Sequence, residues 1–342
     1  MPSELRASAF HDVVGHAQAV ATLEAMHREG RAPQALLISG PRGSGRRTIA
    51  QRFALMLLLG DSAGTVARNN PTRERILHGI HPDVLLVERE EGRRQLSMDA
   101  VRSLRDEFAL KPQEAARRVA ILPDADRLSS ETGNALLKLL EEPPRTSHLV
   151  LTAGSETTLM PTLLSRCVRL RLDPLPQAEL MHFLQQRGFA GSEAALAAAA
   201  ANGAPGKALA LASSGFATLL VPAAATVLST PTEPFGLAAR LFEVLDQDRE
   251  KKNLEATRER VRGLLEALLF LSSLAERKSS GSSVPQLAAE VEAALPCDGL
   301  NGLRLERMLA AHARIDANVA PQLVLEELIL DLQALLGPVG RA

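Results

Sequence analysis

The sequence predicts an α/β protein built on a parallel sheet and followed by a helical region, and three observations carry that prediction. Two short apolar runs, residues 119–122 and 149–152, flank an uninterrupted helical pattern over 130–142, as a parallel βαβ unit does. A third apolar run, Ala35–Ser39, opens directly into the glycine loop Gly40-Pro41-Arg42-Gly43-Ser44-Gly45 and then into a helical pattern over 46–59. Such a loop lets backbone amides approach a phosphate, and the helix N-terminus adds partial positive charge. Beyond residue 173 the composition is helical throughout.

Each element can be justified in order. A helix over 17–29 ends at Gly30, a residue free to take the left-handed cap conformation. Residues 60–79 are polar, with Asn69-Asn70-Pro71 as a turn signal, and His81-Pro82-Asp83 introduces a strand over 84–88. His78, His81 and Asp83 are donors bunched before a strand and read as loop polars, so neither zinc nor another metal is expected. After a charged loop over 88–95, a helix begins near Ser97 or Asp99 and turns Val101, Leu104 and Phe108 toward the sheet. Pro143-Pro144 stops the next helix, because neither ring supplies an amide hydrogen. A strand over 168–172 precedes Asp173-Pro174-Leu175-Pro176, the first domain boundary; Ser213 to Gly215 marks the second. The domains expected are therefore 1–172, 173–213 and 214–342. The second holds three short helices, over 177–187, 192–201 and 205–213. The third holds helices over 243–276, 303–318 and 321–336. In it Leu305, Met308, Leu309, His312 and Ile315 form one apolar face, with His312 at the core edge, and 323–336 is apolar around much of its circumference, as a helix buried on several sides would be.

Bulk properties narrow the class. With 39 basic and 40 acidic residues the net charge is −1, so no global field draws the chain to DNA or an anionic membrane, and any nucleic-acid contact must be local. Two cysteines, Cys167 and Cys297, cannot supply a disulfide framework or a four-cysteine zinc site and point to a reducing cytoplasm. Apolar runs such as 53–59 are far short of the roughly 20 residues that span a bilayer, so a soluble intracellular protein is expected.

The run NALLKLLEEPP, from Asn134 to Pro144, followed by LLSRC, from Leu163 to Cys167, and both behind the glycine loop, resembles the clamp-loader branch of the AAA+ ATPases. The resemblance is strong over 10–210. It implies an α/β AAA+ domain, a small helical lid and an all-helical collar that holds a hetero-oligomeric ring together. It also implies that Arg166, within Ser165-Arg166-Cys167, is an arginine finger inserted in trans into the ATP site of a neighbouring motor subunit. Further partners implied are the clamp-opening subunit, the sliding clamp and primer–template DNA.

The chain departs from that family's active pattern in its own site. Arg46 replaces the phosphate-binding lysine and Arg47 the magnesium-ligating hydroxyl, while Thr48 comes one residue late, turned by about 100°. At the end of the strand over 119–122, Pro123 falls on the metal-ligating aspartate and Asp124 on the catalytic glutamate. Gly206 stands where active members place an arginine on the nucleotide. Gly40, Gly43, Gly45, Arg46, Arg47 and Thr48 are then either a residual cradle that binds ATP or ADP weakly or a loop kept for its tight turn. The second is preferred for turnover, and binding stays open. The implied role is a non-hydrolysing ring member needing no cofactor of its own. The alternatives are an ATP-hydrolysing motor in which Arg46 and Asp124 do the usual work, and a ring-independent module that binds DNA or a partner.

Overall fold

The computed structural model describes residues 8–67, 69–88, 96–229, 234–245, 254–282, 284–296 and 299–335. It divides into two compact units, one of Met1–Leu175 with Ala204–Gly206 and one of Pro176–Gly203 with Lys207–Ala342.

The first unit runs α1 (Ala17–Arg28), β1 (Ala35–Ser39), α2 (Arg46–Leu59), α3 (Pro71–Leu77), β2 (Val84–Leu86), α4 (Met98–Phe108), β3 (Arg118–Leu122), α5 (Ser130–Glu141), β4 (Ser147–Ala153), α6 (Pro161–Leu164) and β5 (Val168–Arg171). The strands form one parallel sheet in the order β2-β3-β4-β1-β5. Every residue of β1, β3 and β4 is buried, because helices cover both faces, and such strands read as continuous apolar runs. Leu36 and Ile38 of β1 pack with Phe53 and Leu55 of α2 on one face; Ala35 and Leu37 pack with Phe108 of α4 and Leu136 of α5 on the other. This is the parallel α/β layer expected of an AAA+ domain. Helix starts follow side-chain caps: Asn70, Ser97 and Ser129 accept hydrogen bonds from the amides of Arg73, Ala100 and Thr132. Helix α3 was not legible in the polar stretch 60–79. Residues 89–95 of the expected charged loop lie outside the described residues, as does Cys297.

Below the sheet, Asp83 is fully buried and its carboxylate accepts the amides of Gln113, Glu114 and Ala115 at 2.7–2.8 Å, with Arg118 at 3.4 Å. Burial alone would raise its pKa, but these donors outweigh it and hold the carboxyl below its usual range. Its oxygens are thus committed to the loop before β3. Among the described residues no group of three or more His, Cys, Asp or Glu side chains could hold a metal ion.

The second unit is all helix: α7 (Gln177–Gln185), α8 (Gly191–Ala200), α9 (Pro205–Ser213, whose first two residues belong to the first unit), α10 (Val221–Ser229), α11 (Pro234–Leu245), α12 (Leu254–Ser279), α13 (Ala289–Ala293), α14 (Asn301–Asp316) and α15 (Pro321–Leu335). A π-helical turn, Phe216–Leu220, leads into α10, and Phe216 meets Phe270 of α12 with ring centroids 5.8 Å apart. Residues expected as lid and as collar therefore share one compact unit. Helix α12 covers most of the expected 243–276, of which 246–253 lie outside the described residues.

The expected face of α14 needs correction. Met308, Ala311 and Ile315 are buried together with Arg304, whereas Leu305 and Leu309 point outward, Leu309 at 53% exposure. Helix α14 carries two apolar stripes about one residue apart, and only one meets α12. In α15 Val324, Leu325, Leu328, Ile329 and Leu332 are buried, as expected of a helix covered on several sides, and Leu323 is exposed. No single helix among the described residues is long and apolar enough to cross a membrane.

Charged side chains tie α9, α12 and α14. Lys207 bonds Glu266 at 2.7 Å, His312 lies 3.8 Å from Glu266 and 3.4 Å from Asp316, and Arg262 reaches Asp316 at 3.1 Å. The Glu266 carboxylate raises the His312 pKa against the effect of burial, while Glu266, despite burial, is pulled down to about 2 by His312 and Lys207.

Two predictions follow from these buried charges. Asp83→Asn leaves Arg118 without its counter-charge and should destabilise the first unit by about 3 kcal/mol in urea unfolding. The His312 contribution is fully present below 6.5, its ordinary value, and is lost as pH rises through the higher folded value; the Glu266 contribution is lost as pH falls from 4.5 toward about 2. Wild-type stability relative to His312→Gln should therefore be greatest between 4.5 and 6.5 and decline as pH rises further, read by denaturant midpoints across pH.

Candidate functional site

The glycine loop leaves the carboxyl end of β1, and the ends of β3 and β4 lie in register beside it: Ser39 pairs with Ala153, and Leu122 with Leu151. Gly43 and Gly45 take positive φ, 83° and 95°, which only glycine adopts freely. A side chain at Gly40 would meet the Leu172 carbonyl at 2.8 Å. His16 Nε2 donates to the Ser44 carbonyl at 2.8 Å and so ties the segment before α1 to the loop.

The arginines do not face an open cradle. Arg46, 11% exposed, turns across to Asp124, with Nη2 and Oδ1 3.7 Å apart, so the residue at the lysine position is neutralised by the residue at the acid position. Arg47 leaves the loop for Glu88 at 2.6 Å, and Thr48 is exposed on α2. Asp124 sits at φ 51°, and its amide donates to Thr152 Oγ1 at 3.2 Å. Thr152, at the end of β4, is thereby occupied in holding the β3 turn. Pro123 brings no oxygen. Asp126 accepts the Gly154 amide at 3.2 Å and serves that turn as well.

A backbone contact closes the loop from the other side. The Gly206 amide donates to the Gly43 carbonyl at 2.8 Å, and a Cβ at 206 would stand 3.0 Å from that oxygen. Glycine at 206 is thus what allows the main chain to lie on the loop. Lys207 next to it is committed to Glu266. Arg46 is thus paired, Pro123 offers no carboxylate to a metal, and the Gly43 carbonyl is taken by the Gly206 amide.

The second group of residues lies at the far end of the βαβ unit. Arg166 stands in the turn between the short helix α6 and the start of β5. Its Nη1 donates to the Thr162 carbonyl at 3.0 Å and its Nη2 to Glu141 Oε1 at 2.6 Å. The side chain is 35% exposed. Ser165 Oγ donates to the same Thr162 carbonyl at 3.1 Å and so finishes the helix. Cys167 packs against the core and burial pushes its thiol up to about 11, so it is a neutral packing group at ordinary pH. Asn134, Lys138 and Glu141 share the exposed stripe of α5. Two features escaped sequence reasoning: the pairing of Arg46 with Asp124 and that of Arg166 with Glu141. A carboxylate in the last turn of a helix, where the macrodipole disfavours it, was the available signal for the second.

The Arg46–Asp124 pair is only partly buried. A double-mutant cycle of Arg46→Met and Asp124→Asn should give a coupling of about 1 kcal/mol in unfolding experiments, and no coupling would mean that the two side chains do not pair.

The family model described as "DNA polymerase III, delta subunit" matches residues 15–176, which hold both groups. The DNA polymerase III subunit delta' of Pseudomonas aeruginosa is 36% identical over 152 residues, covering 44% of this chain and 46% of that protein. The delta' subunit of Escherichia coli is 31% identical over 191 residues, covering 55% and 57%. The matches thus span about half the length of these curated relatives. Among solved structures, a DNA polymerase III gamma subunit-related protein of Thermotoga maritima aligns over 91% of this chain and 98% of its own at 18% identity, with a TM-score of 0.47. Over residues 15–176 this chain is thus similar to the DNA polymerase III delta-prime subunits.

Proposed function

We propose that this chain is a non-hydrolysing subunit of a sliding-clamp loader, working in the cytoplasm within a hetero-oligomeric ring. Its neighbours there would be ATP-hydrolysing subunits of the gamma or tau type and a delta subunit, and it would reach the sliding clamp and primer–template DNA through that assembly. The observation that carries the reading is an asymmetry between two corners of one domain. In the corner that would receive a triphosphate Arg46 is paired with Asp124 and Pro123 offers no carboxylate, while the corner that would donate a cation carries Arg166 at the surface. A ring interface of head-to-tail type uses two different surfaces, so one can be lost while the other is kept.

At a neighbour's site, water attacks the γ phosphorus, the bond to the bridging oxygen breaks and ADP leaves with the negative charge. The chain's own contribution is Arg166, whose planar guanidinium offers several N–H donors to the oxygens on which charge accumulates. Ser165 and Cys167 would serve by fixing the turn that carries it. Neither zinc nor nucleotide is required by this chain.

The purified chain should release no phosphate from ATP with magnesium present, with or without weak binding in titration calorimetry; steady turnover lost in Arg46→Ala would identify an unusual motor instead. In the reconstituted loader, Arg166→Ala should slow turnover at the adjoining site by roughly a thousandfold, and unchanged DNA-stimulated turnover would end the donor assignment.

A further inference from the structure

We infer that Glu141 is the positioning residue for Arg166, holding the guanidinium at the surface in the orientation from which it meets a neighbour's triphosphate. The inference rests on the reading of Arg166 as a donor in trans and names the residue that aims it.

Four observations carry it. Glu141 Oε1 takes Nη2 at 2.6 Å while the Thr162 carbonyl takes Nη1 at 3.0 Å, so two of the three nitrogens are fixed by groups from different helices. A flexible side chain is thereby held at its tip as well as at its root. The separation of those helices is itself constrained. Gly133 of α5 lies so close to α6 that a Cβ would stand 2.5 Å from Met160 Sδ and 3.7 Å from Leu163, and Leu163 is buried in the core. Next, Glu141 closes α5, where the helix macrodipole opposes a carboxylate; the placement makes sense through Arg166 rather than through the helix. Finally, both side chains are well exposed, 35% and 47%, and exposed ion pairs contribute little to folding. What the pair supplies is geometry.

The hydrogens on Nε and the remainder of Nη2 stay available to an anion while Glu141 keeps its bond. Arginine can do this and lysine cannot, since its donors are spread over a rigid plane. Loss of the carboxylate would leave Arg166 present but wandering, and small misplacements of a group acting on a transition state are costly in rate.

The test uses the assembled loader with the other motor sites inactivated, so that turnover reports the site next to Arg166. Glu141→Ala should lower kcat roughly ten- to a hundredfold, with KM for ATP nearly unchanged and the unfolding temperature of the chain unmoved. Glu141→Gln should restore most of the rate, because its amide oxygen can accept the same hydrogen bond. If Arg166→Ala abolishes turnover while Glu141→Ala leaves kcat unchanged or raised, the positioning role is overturned and the donor reading stands. If Arg166→Ala itself has no effect, both fall together.

Discussion

The parallel register of β4 between β1 and β3 is the constraint on which the rest of the first unit depends. It sets the ends of three buried strands side by side, so the glycine loop after β1, the Pro123-Asp124 turn after β3 and Thr152 at the end of β4 meet at one place. Because both faces of the sheet are covered, a slip of the strand would move its apolar set to the wrong helices. The same strand order leaves β5 at an edge beside β1, and the turn leading into it is where Arg166 emerges. Geometry at both corners is inherited from one sheet.

Charge explains the difference between those corners. Where a triphosphate would need an unpaired cation, Arg46 is answered by Asp124 from within the chain. At the other end Arg166 is also paired, but to Glu141 in the open, where separation from a carboxylate costs little and part of the guanidinium stays free. One pair is largely turned inward, and the other lies at the surface.

Much of the fold was legible in the sequence because its signals are local. Ser97, Ser129 and the double proline bracket their helices through bonds made or refused within a few residues, and the glycine loop states its own conformation. Long-range pairing has no such signal. Arg46 and Asp124 belong to different βα turns, and nothing in either turn names the other. Glu141 and Arg166 meet only because α6, a single turn invisible as a pattern, is seated on α5 at Gly133. The error on α14 has a different cause. Periodicity reports that a helix has apolar stripes, but the choice between Met308 and Leu309 as the inward residue was made by α12, and buried Arg304 ran against residue type.

The bond between Gly206 and Gly43 bears on what building a triphosphate site into this loop would require. Lysine at 46 would shorten the cation that answers Asp124. An arginine at 206 would bring its Cβ to 3.0 Å from the Gly43 carbonyl, so the main chain there would have to give way. Aspartate at 123 would add a second negative charge beside Asp124. Each change is unfavourable unless the others accompany it, so such a site could not be assembled here one residue at a time.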